Sequence, residues 1–188
     1  TNSLGYVREI NASGLCGFSD WRLPTWQELQ SIVDFNRGGS ADPAIDPAWF
    51  PNTSANVYWT SSPSRDAQHA VGLNFFGGEA FGVVRSEAKR LRLVRGPSSA
   101  GFPNRFTFTR QTMGAGETGD NLVVDNLTGL TWRRCSLGQL FNGSTCTGVP
   151  TRDSHEDALR IAQSIASSVP GGWRLPSVKE LASISRRG

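Results

Sequence analysis

The 188-residue chain is poor in several things, and each scarcity excludes something. It holds one methionine against 21 glycines and six tryptophans, a profile that suits a rigid, loop-rich, aromatic-anchored domain and not a helical bundle. No apolar run is long enough to span a bilayer, so no membrane span is expected. There are only two histidines, His69 and His155, and no Cys-x-x-Cys pair, which leaves little for a zinc centre. His69 follows Asp66 in a loop-like stretch and His155 stands beside Glu156 and Asp157, and neither is accompanied by a nucleophile motif. A non-enzyme is expected. The formal charge is only +3, with 19 basic and 16 acidic residues, and that balance makes nucleic acid a poor fit. Residue 1 is not methionine, and the expectation drawn from it is an exported piece found outside the cell or on its surface.

What is present is glycine (21), tryptophan (6) and a repeat. Trp21-Arg22-Leu23-Pro24 leads into Thr25, Glu28, Leu29 and Ile32. Trp173-Arg174-Leu175-Pro176 leads into Ser177, Glu180, Leu181 and Ile184. In each copy the residue before proline is held extended. Thr25 or Ser177 then starts a helix, with the glutamate three residues on closing a capping box. The two leucine–isoleucine pairs recur at helical spacing and face a core. The offset is 152 residues, from Trp21 to Trp173. An amphipathic helix over 4–13 corresponds at that offset to one over 155–166.

The first capped helix is expected to run to about Asp34. A Pro- and Gly-rich stretch over 36–52 follows, pinned to the core by Ile45, Trp49 and Phe50. Strands are expected over 57–60, 70–75 and 80–84, and a fourth over 90–95, where basic and apolar residues alternate. Beyond a linker lie strands over 106–109 and 122–125, joined by a glycine-rich turn, and another through Trp132. The resulting organisation is 1–97 as the back portion of one repeat unit, 98–104 as linker, and 105–188 as the front portion of the next. Cys135 and Cys146 enclose a polar loop and read as a disulfide staple, which implies an oxidising compartment. Cys16 is left over, either as a small buried side chain or as one that has lost its partner.

Thr128-Gly129-Leu130-Thr131-Trp132, the Cys135–Cys146 loop with Asn142-Gly143-Ser144, and Ser19-Asp20-Trp21-Arg22-Leu23-Pro24 occur together with Pro43-Ala44-Ile45-Asp46 and Phe50-Pro51, Tyr58-Trp59, and the Arg90–Arg95 stretch. In this combination the chain resembles the C-terminal domain family of the Legionella collagen-like protein, in tandem and out-of-register copies. The resemblance implies an α+β, C-type-lectin-like fold, with two helices packed on a small twisted antiparallel sheet with long loops. Formylglycine-generating oxidases share that fold, and their Arg-Leu-Pro-Thr-x-x-Glu segment is similar to 22–28. An oxidase would need a reactive cysteine pair within 57–95, and that stretch has no cysteine. Relatives are associated with adhesion to sulfated polysaccharide.

The candidate ligand-binding residues are therefore Arg85, Lys89, Arg90, Arg92 and Arg95, with Trp49 or Tyr58 as stacking partners for an acidic polysaccharide or cell-surface glycan. Arg22 and Arg174 are expected to be structural, bonded to loop carbonyls. No cofactor is expected. Calcium on Asp34, Asp42 and Asp46 is the one metal alternative, although Asp-Pro is more often a turn former. A second functional class stays open: a repeat subunit of a surface fibre or appendage, self-associating by complementation of half-domains between copies.

Overall fold

The computed structural model describes residues 3–40, 42–98, 104–111, 119 and 121–185. The expected linker lies largely outside them, as does most of the glycine-rich turn after Thr109. The chain is α+β with small antiparallel sheets, and it divides into two compact units, Thr1–Gly101 with Ser177–Gly188, and Phe102–Pro176.

In the first unit, α1 (Ser3–Ser13) leads through a single 3-10 turn to the Trp-Arg-Leu-Pro segment and α2 (Trp26–Ser31). Thr25 caps α2 as its sequence requires. Its hydroxyl accepts the Glu28 amide, and the Glu28 carboxylate accepts the Thr25 amide at 2.8 Å. The helix ends three residues before Asp34, because Val33 already donates to the Gln30 carbonyl in a tight turn.

Strands β1 (Val57–Pro63), β2 (His69–Asn74) and β3 (Glu79–Val84) form one antiparallel sheet in that order. The β2–β3 turn needs glycine at 78, where φ is +86° and a Cβ would come within 2.6 Å of Val33 Cγ1. Trp26, Leu29 and Val33 pack on Tyr58, Val71, Leu73 and Phe75, all buried, with Tyr58 edge-on to Phe75 at 5.2 Å between ring centroids. Burying one such side chain contributes about 2 kcal/mol, so this cluster is the main source of the unit's stability.

The stretch over 36–52 is held by Ala44 and Ile45, with the Ala44 amide donating to the Phe75 carbonyl. Trp49, expected to share that anchoring, is 79% exposed. Residues 90–95 do not form the expected fourth strand. Arg90 bridges in parallel to Tyr58, and Val94 bridges antiparallel to Arg22. The segment thus crosses from the sheet edge to the Trp-Arg-Leu-Pro segment, and two different partners cannot make one ladder.

The sheet carries one capped helix rather than two side by side. That helix, α2, is backed by α4 (Val178–Ile184), which contributes Ala182 to the edge of the core and a Lys179 Nζ bond to the Ser31 carbonyl at 3.0 Å. Helix α1 buries none of its residues fully. It is tied on through Asn11, whose side chain bonds both the amide and the carbonyl of Trp21 at 2.8 Å.

In the second unit, β4 (Phe106–Thr109), β5 (Leu122–Asp125) and β6 (Leu130–Arg133) make an antiparallel sheet in sequence order. β7 (Leu140–Phe141) and β8 (Cys146–Thr147) form a small hairpin closed by the Cys135–Cys146 disulfide. Asp125, fully buried, takes two bonds from Arg105, at 3.0 and 2.7 Å. Burial alone would raise its carboxyl. The Arg105 guanidinium, the Leu127 amide and the Thr128 hydroxyl outweigh that and hold it below the ordinary range. Helix α3 (His155–Ser168), capped by Ser154, also buries none of its residues fully.

Candidate functional site

The basic residues of 85–95 do not share one face, and their partners separate them. Arg92 reaches inward, donating to Thr53 Oγ1 at 2.7 Å with its guanidinium 5.0 Å from the Phe50 ring centroid. Arg95 pairs with Asp20 at 3.0 Å and stacks 3.6 Å from the Phe18 centroid. The Asp20 carboxyl is held down by the hydrogen bond from that guanidinium. Lys89 is paired with Glu87 at 2.8 Å, and its ammonium lowers the Glu87 carboxyl. Arg85 and Arg90 are exposed, and among the described residues neither guanidinium has a hydrogen-bond or ion-pair partner.

Arg90 also lines an open groove of about 580 Å³. Tyr6 of α1, Leu15 of the 3-10 turn and Trp21 of the Trp-Arg-Leu-Pro segment line it on one side, and Leu91 and Leu93 of the crossing segment on the other. Its lining includes one cation and no carboxylate. The Trp21 indole N–H donates to the Leu15 carbonyl at 3.1 Å, which fixes the ring in the groove wall. Neither Trp21 nor Tyr6 is among the aromatics singled out from the sequence. The stacking partners expected there were Trp49 and Tyr58, whereas helix α1 supplies Tyr6 and the Trp-Arg-Leu-Pro segment supplies Trp21. Tyr58 contributes to the floor, but its ring is buried against Phe75 and cannot act as an exposed stacking platform. Trp49 is exposed yet does not line the groove.

Arg22 is the most fully bonded arginine of the first unit. It grips Glu28 with two bonds of 2.8 Å and donates to the carbonyls of Gly96 and Pro97 at 3.0 Å. Glu28 in turn raises the guanidinium's affinity for its proton. Arg174 donates to the Leu175 carbonyl at 3.1 Å.

These contacts sort the site. Arg22 binds structure, Arg92 and Arg95 are engaged internally, and Arg85 and Arg90 remain available to a ligand.

A family model described as the Lcl C-terminal domain matches residues 1–95 and 121–188. The chain belongs to that family. The two matched stretches leave out 96–120, which contains the expected linker and β4. No curated protein matches the chain, and no solved structure does. Within the Lcl C-terminal domain match lie both Trp-Arg-Leu-Pro segments, the groove and the disulfide loop.

The three aspartates considered for calcium do not gather into a ligand set. Asp42 is ion-paired with Arg37, while Asp34 Oδ1 and Asp46 Oδ1 accept the amides of Asn36 and Ala48. Asp34 and Asp46 do line one cleft, with Lys179 beside them, and an ammonium there opposes a divalent cation. No group of three or more His, Cys, Asp or Glu side chains suited to a metal occurs among the described residues. His69 Nδ1 lies 2.7 Å from Asp66 Oδ1 and lowers the Asp66 carboxyl, an exposed pair on a turn. No helix among the described residues is long and apolar enough to cross a membrane.

Proposed function

We propose that this chain is an exported, non-enzymatic surface-adhesion module of C-type-lectin-like architecture, built from tandem, out-of-register copies. It engages acidic or sulfated glycan through the exposed guanidinium groups of Arg85 and Arg90, with Lys89 alongside. The observation that carries this reading is that, among the described residues, these two cations have no partner while every other basic residue of 85–95 has an internal one. Guanidinium suits sulfate and carboxylate because its paired donors match their oxygens. The Cys135–Cys146 disulfide supports an oxidising destination.

The test is retention on immobilised heparin and on dextran sulfate over a salt gradient. Wild type is expected to be retained and to elute earlier as salt rises. Arg85→Glu with Arg90→Glu is expected to flow through. Retention of that double variant at the wild-type salt concentration would sink the reading.

A second reading, a repeat subunit of a surface assembly, is favoured by one specific observation. Leu181 and Ile184 of α4, the counterparts of buried Leu29 and of Ile32, which packs against the core, are exposed.

A further inference from the structure

The crossing segment over 90–94 uses its main chain on one side only. The Arg90 amide and carbonyl bond Val57 and Trp59 at 3.1 and 2.9 Å, and those of Val94 bond Arg22 at 3.0 and 2.9 Å. Between these points Arg92 reaches Thr53, whereas Leu91 and Leu93 line the groove. Such alternation marks an extended chain. In an extended chain, residues of one parity turn both main-chain groups to one edge, and their neighbours turn theirs to the other. The N–H and C=O groups of Leu91 and Leu93 therefore point away from β1 and the Trp-Arg-Leu-Pro segment. Among the described residues neither leucine has a hydrogen-bond partner.

An open edge is a template for another strand, and proteins usually guard it with a charged side chain, a proline or a bulge. Here that guard is missing. No proline lies within 90–94, and the central cation, Arg92, is turned inward onto Thr53 and the Phe50 ring. Across the groove from the two leucines the wall is apolar, with Tyr6 and Leu15 each 42% exposed. Arg90 stands at one end without a partner among the described residues, and no carboxylate lines the groove. An occupant that matches all of this brings main-chain amides in strand spacing, apolar side chains and an acid. A polysaccharide supplies the acid but neither of the other two.

We propose that the groove takes an extended peptide segment of a partner protein, added as a strand along Leu91–Leu93, with apolar residues at alternate positions and an acidic residue beside Arg90. The peptide's main chain satisfies the Leu91 and Leu93 edge, and its apolar side chains fill the space between those leucines and Tyr6, Leu15 and Trp21. This goes beyond the glycan reading and does not depend on it, since the two share Arg90 alone.

The experiment is fluorescence anisotropy of a labelled, end-blocked peptide of alternating valine and aspartate, titrated with the whole chain. Cross-strand neighbours share a face, so the valines of such a peptide face Leu91 and Leu93 while an aspartate lies beside Arg90. Saturable binding is expected. Arg90→Glu is expected to weaken it at least about tenfold, as the loss of a charge-assisted bond does, and to prefer a valine–lysine peptide instead. Tyr6→Gln with Leu15→Gln, both at exposed positions, is expected to weaken it to a similar degree, with far-ultraviolet circular dichroism checking the fold. Peptides N-methylated on the valines or on the aspartates test the strand itself. Antiparallel addition uses the valine amides and parallel addition the aspartate amides, so at least one methylated peptide should fail to bind.

No saturable binding up to about 1 mM overturns the proposal. Binding that survives both methylations, or that follows Arg90 but ignores Tyr6 and Leu15, is plain charge attraction and overturns it as well. Self-association of the chain, seen by light scattering and not displaced by the peptide, assigns the edge to a second copy and also overturns it. Heparin retention of the Tyr6→Gln, Leu15→Gln variant is expected to equal wild type whichever way the peptide behaves, so the glycan reading stands or falls separately.

Discussion

The Trp-Arg-Leu-Pro segment and its helix occur twice, and the two copies share local structure but not surroundings. Both have a complete capping box, with Thr25 and Glu28 in one and Ser177 and Glu180 in the other. In the first copy Trp26 and Leu29 are each 2% exposed, under β1 and β2. In the second, Val178 and Leu181 at the same positions are 58% and 48% exposed. Capping is decided within four residues, so it forms wherever those residues occur. Burial is decided by whether a sheet is at hand. Helix α4 instead offers Ala182 and Lys179 to the back of α2, and its leucine face is left over.

The largest expected contrast comes from truncating equivalent positions. Trp26→Ala should destabilise the chain by about 3–5 kcal/mol, because it empties a packed site. Val178→Ala should stay within about 0.5 kcal/mol, as at an ordinary surface position. Urea unfolding of both variants measures the difference, and similar losses would mean that α4 is buried in solution.

Next in size is Arg105→Ala, which leaves Asp125 buried without its partner and should cost about 3 kcal/mol. Amide exchange in β5 would report it. The same carboxylate gives the second unit an acid sensitivity. Its folded pKa is lowered from 3.8, so it contributes stability above that value and loses it as pH falls through the folded pKa. Exchange in β5 should therefore accelerate below about pH 4 in wild type, and this acid response should disappear in Arg105→Ala.

Replacing Arg22 by Ala removes a bidentate pair and two carbonyl contacts, and about 2 kcal/mol is expected. The contrast with Arg174→Ala, measured by thermal unfolding, asks how much of the motif's arginine depends on its surroundings. The smallest contrast is in the caps. Thr25→Ala and Ser177→Ala should each weaken their own helix by about 1 kcal/mol, seen as faster exchange of the first-turn amides.

What could be read from the sequence was what neighbours along the chain determine. Both caps, the Cys135–Cys146 staple, strands β1 to β6 and the helix over 155–166 have that character. Three readings failed for a common reason, which is that a distant partner decided the outcome. Residues 90–95 alternate like a strand, yet Tyr58 and Arg22 hold them at two separate points. Arg92 alternates like a surface residue, yet Thr53, 39 residues away, takes its guanidinium. Trp49 carries the largest side chain of its loop, but Ala44 and Ile45 occupy the core instead. Which cations are available depends on Asp20, Glu87 and Thr53, and the pattern of 85–95 alone does not indicate those pairings.

The Arg22 clasp also determines how the first unit yields to tension. A pull applied at residue 98 would load in turn the Arg22 bonds to Gly96 and Pro97, the Arg95–Asp20 pair, the Val94–Arg22 bridge, the Arg92–Thr53 bond and the bridge at Arg90. These attachments fail in succession, like a zip, because no continuous ladder shares the load among them. The first unit should therefore release the stretch over 87–98 at low force while the β1–β3 sheet stays intact, a length of slack available before the core is stressed.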